Sequence, residues 1–123
     1  KIPSEKDLVK AGEDDLAKYI TQEFGPQIAA VQERIKTEGA SISLYNRLGL
    51  LYVRAGMYDN AVSVYEISAK MGSVPAMNNL GNILSLQKKY AKAKEWYEKV
   101  LVIDPQNETA RKNLDRIETE LEH

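Results

Sequence analysis

The feature that most constrains the fold of this chain is an internal repeat, in which residues 42–73 align with residues 74–107. A Leu-Gly pair anchors each copy, and the two glycines, Gly49 and Gly81, stand 32 residues apart. The other aligned positions are Tyr45 with Met77, Leu48 with Leu80, Tyr52 with Leu84, Tyr58 with Tyr90, Ala61 with Ala93 and Tyr65 with Tyr97. A period of this size, with two helical segments per unit, indicates a solenoid of stacked helix pairs.

The apolar spacing and the Gly/Pro punctuation predict about seven helices and no strand. The predicted helices cover residues 4–23, 26–38, 41–55, 58–71, 74–88, 90–103 and 107–121. The first two are separated at Phe24-Gly25-Pro26, because proline lacks the donor that a helix interior needs. The connections are only a few residues long, so we expect neighbouring helices to run antiparallel.

The repeated residues carry a family resemblance. The stretch Y-N-R-L-G-L-L-Y (45–52) with Ala61 and Tyr65, and the stretch M-N-N-L-G-N-I-L (77–84) with Ala93, Tyr97 and Pro105, resemble the tetratricopeptide repeat family. Residues 69–81 also have some Sel1-like character. The resemblance implies an all-α, right-handed solenoid of antiparallel helix pairs. The sequence departs from the pattern at Gly72-Ser73, where Asp-Pro is usual, and at Ser68 and Val100, which occupy a small-residue position.

The resemblance also implies an organisation along the chain. Residues 1–40 are expected to form an N-terminal helix pair, either a degenerate repeat or a cap. Residues 41–107 form two repeats, 42–73 and 74–107, and residues 108–121 form a C-terminal capping helix. Residues 121–123 resemble a tag remnant, so His123 is set aside.

Gly49 and Gly81 are predicted to serve packing, since a glycine inside a helix costs roughly 1 kcal/mol relative to alanine. We expect each to let the first helix of its pair approach the second closely, with Ala61 and Ala93 facing them. A phosphate loop is not indicated, because no strand precedes either glycine and no phosphate-binding motif is present.

The composition offers little for catalysis. There is no cysteine, and the only histidine is His123, so no thiolate site and no histidine base is available; we expect no enzyme activity, no metal and no cofactor. A net charge of −1 gives no reason to expect nucleic acid as a partner, and no apolar run is long enough to span a membrane. The compartment stays open between cytoplasm and periplasm.

Two charged clusters are predicted to be solvated surface. Glu13-Asp14-Asp15 is a poor metal cage, because consecutive residues on a helix point in different directions. The basic run of Lys88, Lys89, Lys92, Lys94 and Lys99 is interpreted as an exposed, solvated helix surface and not as an RNA-binding patch.

By the resemblance, the first helix of each pair lines a concave groove that binds another protein, as an extended peptide or a helix. The groove residues expected from the register are Asn46, Arg47, Leu50, Arg54, Asn78, Asn79, Asn82, Ser85, Lys112 and Arg116. Amides offer donors and an acceptor to a peptide backbone, and the cations suit a carboxylate. The asparagines could instead solvate a helix face or cap a turn.

Two further functions can be compared with the residues. Family members that clamp the terminal carboxylate of chaperones use Lys and Asn in a first repeat, Asn in a second, and Lys and Arg in a third. Here Asn46 and Leu50 stand at the first two positions, Asn79 fits the third, and Thr109 with Lys112 or Asn113 lies in the region of the last two. The clamp is incomplete, so chaperone-tail binding is not predicted. The alternative function is self-assembly, through the N-terminal helices or an uncapped solenoid end, or service as an accessory region of a larger complex.

Overall fold

The computed structural model describes residues 4–123, apart from the side chains of residues 8 and 9, and this part of the chain is helical with no strand. Its six helices are α1 (Glu5–Glu38), α2 (Ile42–Arg54), α3 (Tyr58–Lys70), α4 (Val74–Leu86), α5 (Tyr90–Ile103) and α6 (Glu108–Leu121). Helices that follow one another along the chain pack together, and α4 also contacts α6. The architecture is an all-α, right-handed solenoid of antiparallel helix pairs.

The predicted N-terminal pair is wrong: residues 5–38 form one continuous helix, with Pro26 inside it, so six helices are seen in residues 4–123 instead of about seven. Pro26 removes one backbone donor, but the carbonyl that loses its partner belongs to Gln22, which is exposed, so water can satisfy it. On the second half of the helix, Ala29, Ala30 and Glu33 are exposed and carry no large apolar side chain. Folding the first half back onto this side would bury little apolar surface, and the straight helix is retained.

The start and end of each repeat helix follow from local backbone chemistry. The side chains of Ser41, Ser73 and Asn107 each accept a hydrogen bond from a backbone N–H in the first turn of the helix that follows. The turn after α2 places Gly56 at φ 74°, and the equivalent turn after α4 places Lys88 at φ 60°. Glycine adopts this left-handed conformation at no steric cost, whereas lysine is strained there.

The predicted role of Gly49 and Gly81 is confirmed, and the contact is tighter than expected. A Cβ added at Gly49 would lie 2.6 Å from Cζ of Tyr65, and one added at Gly81 would lie 2.5 Å from Cε1 of Tyr97. The groups that face the glycines are therefore tyrosine rings; Ala61, predicted to face Gly49, is buried but is not among the nearest atoms. In each repeat, the tyrosine ring of the second helix packs directly on the glycine of the first helix.

Candidate partner-binding site

A polar network surrounds the hydroxyl group of Tyr97, which reaches past Gly81. The hydroxyl donates a hydrogen bond to Oδ1 of Asn82, and Nδ2 of Asn113 donates a second one to the same oxygen at 3.2 Å. These contacts join α5, α4 and α6 through one amide. Both acceptor positions of Oδ1 are then occupied, so Asn82 is left with the two donor protons of Nδ2 for any ligand.

The network lies beside a cavity of about 350 Å³, which we call the α4–α6 cavity. Its lining residues are Asn82, Ser85, Leu86, Tyr90, Arg116, Ile117 and Glu120. Three of these, Asn82, Ser85 and Arg116, are among the groove residues predicted from the sequence, and the structure brings them together. Ser85 donates its hydroxyl proton to the carbonyl of Gly81 at 2.7 Å, so its oxygen faces a ligand as an acceptor.

Apolar and charged groups complete this cavity. Leu86 is 68% exposed, and the buried side chain of Ile117 also lines the cavity. Arg116 and Glu120 stand one turn apart on α6 and are both exposed, without an ion pair between them within residues 4–123. The prediction did not include Tyr90, Ile117 or Glu120, because their place in the cavity depends on how α5 and α6 pack beside α4.

Asn46 is held inside its own repeat. Its Nδ2 donates to Oγ of Ser73 at 3.1 Å, and its Oδ1 accepts from Oγ of Ser68 at 2.6 Å. Ser73 is also the N-cap of α4. The amide thereby ties α2 to the end of α3 and the start of α4, and both ends of the amide are engaged without any partner protein.

Asn78 occupies the equivalent position of the second repeat but has different neighbours. Val100 stands where the first repeat has Ser68, so the hydroxyl that would serve the amide oxygen is missing. Oδ1 of Asn78 is buried and has no hydrogen-bond partner among the described residues. Asn79, one position further on, lies near the hydroxyl of Tyr65.

The remaining predicted residues lie outside the α4–α6 cavity. Arg47 lines a separate cavity of about 260 Å³, beside Arg34 and Glu38 at the turn between α1 and α2. Lys112 lines another of about 240 Å³, near Pro105. Leu50 is 45% exposed on α2, and Arg54 is exposed in the last turn of the same helix.

Burial changes the pKa of Tyr65 and Tyr97, the two tyrosines that pack on the helix glycines. It raises the pKa of Tyr97, although the nearby side chains of Ser85 and Arg116 act in the opposite direction. Burial likewise raises the pKa of Tyr65, with Asn79 opposing it. Both phenols therefore stay protonated at neutral pH and keep their role as hydrogen-bond donors.

The described residues contain no group of three or more His, Cys, Asp or Glu side chains that could hold a metal ion. In the same part of the chain, every helix is too short or too polar to cross a bilayer.

Family models decide the relationship of this chain to known proteins. The tetratricopeptide repeat model matches residues 74–107, and a second model of the same repeat matches residues 44–72. The two matches together cover just over half of the chain. The chain belongs to the tetratricopeptide repeat family.

Relatives of this tetratricopeptide repeat (TPR) chain include two proteins that are considerably longer. It is 37% identical over 76 residues to the chloroplastic tetratricopeptide repeat domain-containing protein PYG7 of Arabidopsis thaliana, covering 60% of this chain and 25% of that protein. It is 38% identical over 77 residues to the uncharacterized protein ycf37 of Pyropia yezoensis, covering 61% of this chain and 43% of that protein. The chain thus spans less than half of the length of these relatives.

Solved TPR structures share the fold. The first TPR of Spaghetti (RPAP3), bound to the HSP90 peptide SRMEEVD, superposes with a TM-score of 0.73 at 21% sequence identity, over 89% of this chain and 90% of that one. At this level of identity the likeness concerns the fold alone.

Proposed function

We propose that this TPR chain is a non-catalytic scaffold that binds a peptide or a helix of a partner protein on the groove side of its first helices, with the α4–α6 cavity as the centre of the site. The fold is typical of protein–protein interaction. The observation that carries the proposal is the convergence of Asn82, Ser85 and Arg116 on one cavity of about 350 Å³ beside the exposed Leu86.

The chemistry of the cavity defines the ligand. Nδ2 of Asn82 and the guanidinium of Arg116 are donors, because Oδ1 of Asn82 is already occupied by Tyr97 and Asn113. Donors of this kind suit main-chain carbonyls or a carboxylate of the ligand. Leu86 and Ile117 would accept an apolar side chain next to that group, and a small number of polar groups on an apolar lining is usual for binding sites.

The proposed surface continues along α2. Arg47, Leu50 and Arg54 are exposed there, and they would contact the part of the ligand that extends beyond the cavity. Lys112 on α6 and Asn79 on α4 would contribute at its edges. Asn46 and Asn78 are assigned to the interior of the repeats, since Asn46 is engaged and the oxygen of Asn78 is buried.

The HSP90 peptide bound by the Spaghetti (RPAP3) domain provides a control ligand, not a proposed one. A clamp for a terminal carboxylate needs several cations and amides, whereas this chain has Leu50 and Thr109 at two of those positions and uses Asn46 internally. We expect SRMEEVD to bind weakly or not at all.

The test is selection of a random displayed peptide library on the folded chain, followed by affinity measurement with single variants. Arg116→Glu should weaken the selected peptides by about tenfold or more, which corresponds to about 1.4 kcal/mol. Lys70→Glu is the matched control, because Lys70 is an exposed cation in the last turn of α3 and lines none of the cavities described above. Equal affinity for wild type and Arg116→Glu, or no enriched peptide, would contradict the proposal.

A further inference from the structure

The first half of α1 is a helix without a surface to pack on. We call residues 5–24 the α1 arm. Every residue from 10 to 19 is exposed, and Leu16 and Tyr19 are each 58% exposed. Leu16, Ile20 and Phe24 follow one another at intervals of four, on the same side of the helix. Isolated helices of this length are marginal in water, and tertiary packing of an apolar face is what usually stabilises them.

The apolar side of the arm continues an interface that already exists. Further along α1, Ile28, Val31 and Ile35 belong to the packed core where α1 meets α2. The same four-residue spacing leads back through Phe24 and Ile20 into the exposed arm. The arm is therefore an extension of a packing face and not a randomly apolar stretch.

The arm and the turn between α4 and α5, beside the α4–α6 cavity, have opposite charge, whereas the lining of the cavity itself holds one cation, Arg116, and one anion, Glu120. The arm holds six carboxylates and three lysines, a net charge of −3. Residues 86–92, which carry two of the cavity's lining residues, hold Lys88, Lys89 and Lys92 and no acidic residue, a net charge of +3. Exposed apolar groups accompany both charges, Leu16 and Tyr19 on the arm and Leu86 beside the cavity.

We propose that the α1 arm of one copy docks into the α4–α6 cavity of a second copy of this chain. The inference rests on the proposed function of the cavity, and it names a partner helix for it. Leu16 and Tyr19 would pack on Leu86 and Ile117, while the carboxylates of the arm face Arg116 and the lysines of the α4–α5 turn. Complementary charge of this kind orients the two partners and speeds their encounter.

The contact is between two different surfaces, so it does not close on itself in the manner of a two-fold dimer. Each copy offers one free arm and one free cavity, and association should therefore continue head to tail as concentration rises. Within one copy, α1 packs against α2, whereas α4, α5 and α6 build the cavity and no α1 residue lines it. The arm that fills the cavity therefore comes from a second copy.

The experiment is sedimentation velocity over a range of concentrations. Wild type should move from the 13.8 kDa monomer to larger species, and the association should weaken as salt screens the charges. Leu16→Asp with Tyr19→Asp removes the arm's apolar face, and Leu86→Asp blocks the cavity. All three positions are exposed, so both variants should stay folded by circular dichroism and remain monomeric when alone.

Mixing the two variants gives the decisive readout. The arm variant keeps an intact cavity and the cavity variant keeps an intact arm, so the mixture should form a one-to-one heterodimer that grows no further. A mixture that stays monomeric overturns the inference. Association of wild type that Leu86→Asp leaves unchanged also overturns it, because two arms would then be pairing with each other. Neither result bears on peptide binding at Arg116, which the library selection measures separately.

Discussion

Gly81→Ala tests whether close approach of the helices is what this fold depends on. The added Cβ would lie 2.5, 2.6 and 2.9 Å from three carbons of the Tyr97 ring, whereas carbons in contact are about 3.5–4.0 Å apart. The ring is fully buried and its hydroxyl is bonded to Asn82. Since the ring cannot turn away, α4 and α5 must separate by about 1 Å to reach an ordinary contact distance.

The expected magnitude combines three terms. Overpacking of a buried site costs about 1–3 kcal/mol, and this site falls at the upper end because a whole aromatic ring must move. Weakening the hydrogen bond from Tyr97 to Asn82 adds about 1 kcal/mol. Alanine gains about 1 kcal/mol of helix propensity over glycine. The free energy of unfolding should therefore fall by about 2–3 kcal/mol, as measured by urea unfolding with circular dichroism.

Gly12→Ala is the matched control, because Gly12 is also helical but an added Cβ meets nothing within 4 Å. It should leave stability unchanged or raise it slightly. In a chain that already carries Tyr97→Leu, the Gly81→Ala change should cost less than in wild type, since the ring that it strikes is gone. The reasoning is refuted if Gly81→Ala alone is as stable as wild type, because helix propensity would then outweigh packing.

Three other predictions concern stability. Lys88→Gly should raise the free energy of unfolding by up to about 1 kcal/mol, since the left-handed backbone strains lysine. Gly56→Lys in the equivalent turn should lower it. Urea unfolding in which both substitutions change the free energy of unfolding in the same direction would contradict this. Ser73→Ala should cost about 2 kcal/mol, about half from the lost N-cap and half from the stranded Asn46 amide; a loss below half of that would place the amide elsewhere. Burial raises the pKa of Tyr65 and Tyr97, so above about pH 10 the folded state keeps protons that the unfolded chain loses. The free energy of unfolding should therefore be constant up to about pH 10 and fall above it. An ultraviolet titration should show that Tyr65 and Tyr97, among the seven tyrosines, ionise late; ionisation of all seven at the same pH would contradict the prediction.

The repeat helices could be predicted from sequence because their signal is distributed over many spaced positions. Each repeat has a glycine on its first helix and a tyrosine on its second, Gly49 with Tyr65 and Gly81 with Tyr97. Taken together, these positions predict which helices pack as a pair, although no single residue does so. The N-terminal region has no such pattern, so the prediction relied on Pro26 as a local stop. Whether the chain turns back at Pro26 depends on the surface against which the returning helix would pack, and that surface exists only in the folded molecule.

The hydrogen bonds of the predicted groove asparagines could not be predicted from the sequence, for a physical reason. Register places an asparagine on a helix face, but its hydrogen bonds come from neighbouring elements. The side chain of Asn46 forms hydrogen bonds with two serines inside its own repeat. Asn78 stands at the same position of the second repeat, where Val100 replaces one of these serines, and its Oδ1 has no hydrogen-bond partner among the described residues. Asn82 lines the cavity because α6 supplies Asn113 to hold it, and no local pattern in α4 could indicate that.

The most direct test of the α4–α6 cavity as the binding site is a nuclear magnetic resonance titration of the labelled chain with a peptide from the library selection, read at the side-chain N–H groups. We expect the Nδ2 signals of Asn82 and the guanidinium signal of Arg116 to shift together and saturate, while the Nδ2 signals of Asn46 stay in place. Shifts at Asn46, or on the outer face of α5 with Asn82 unmoved, would contradict the assignment of the α4–α6 cavity as the binding site.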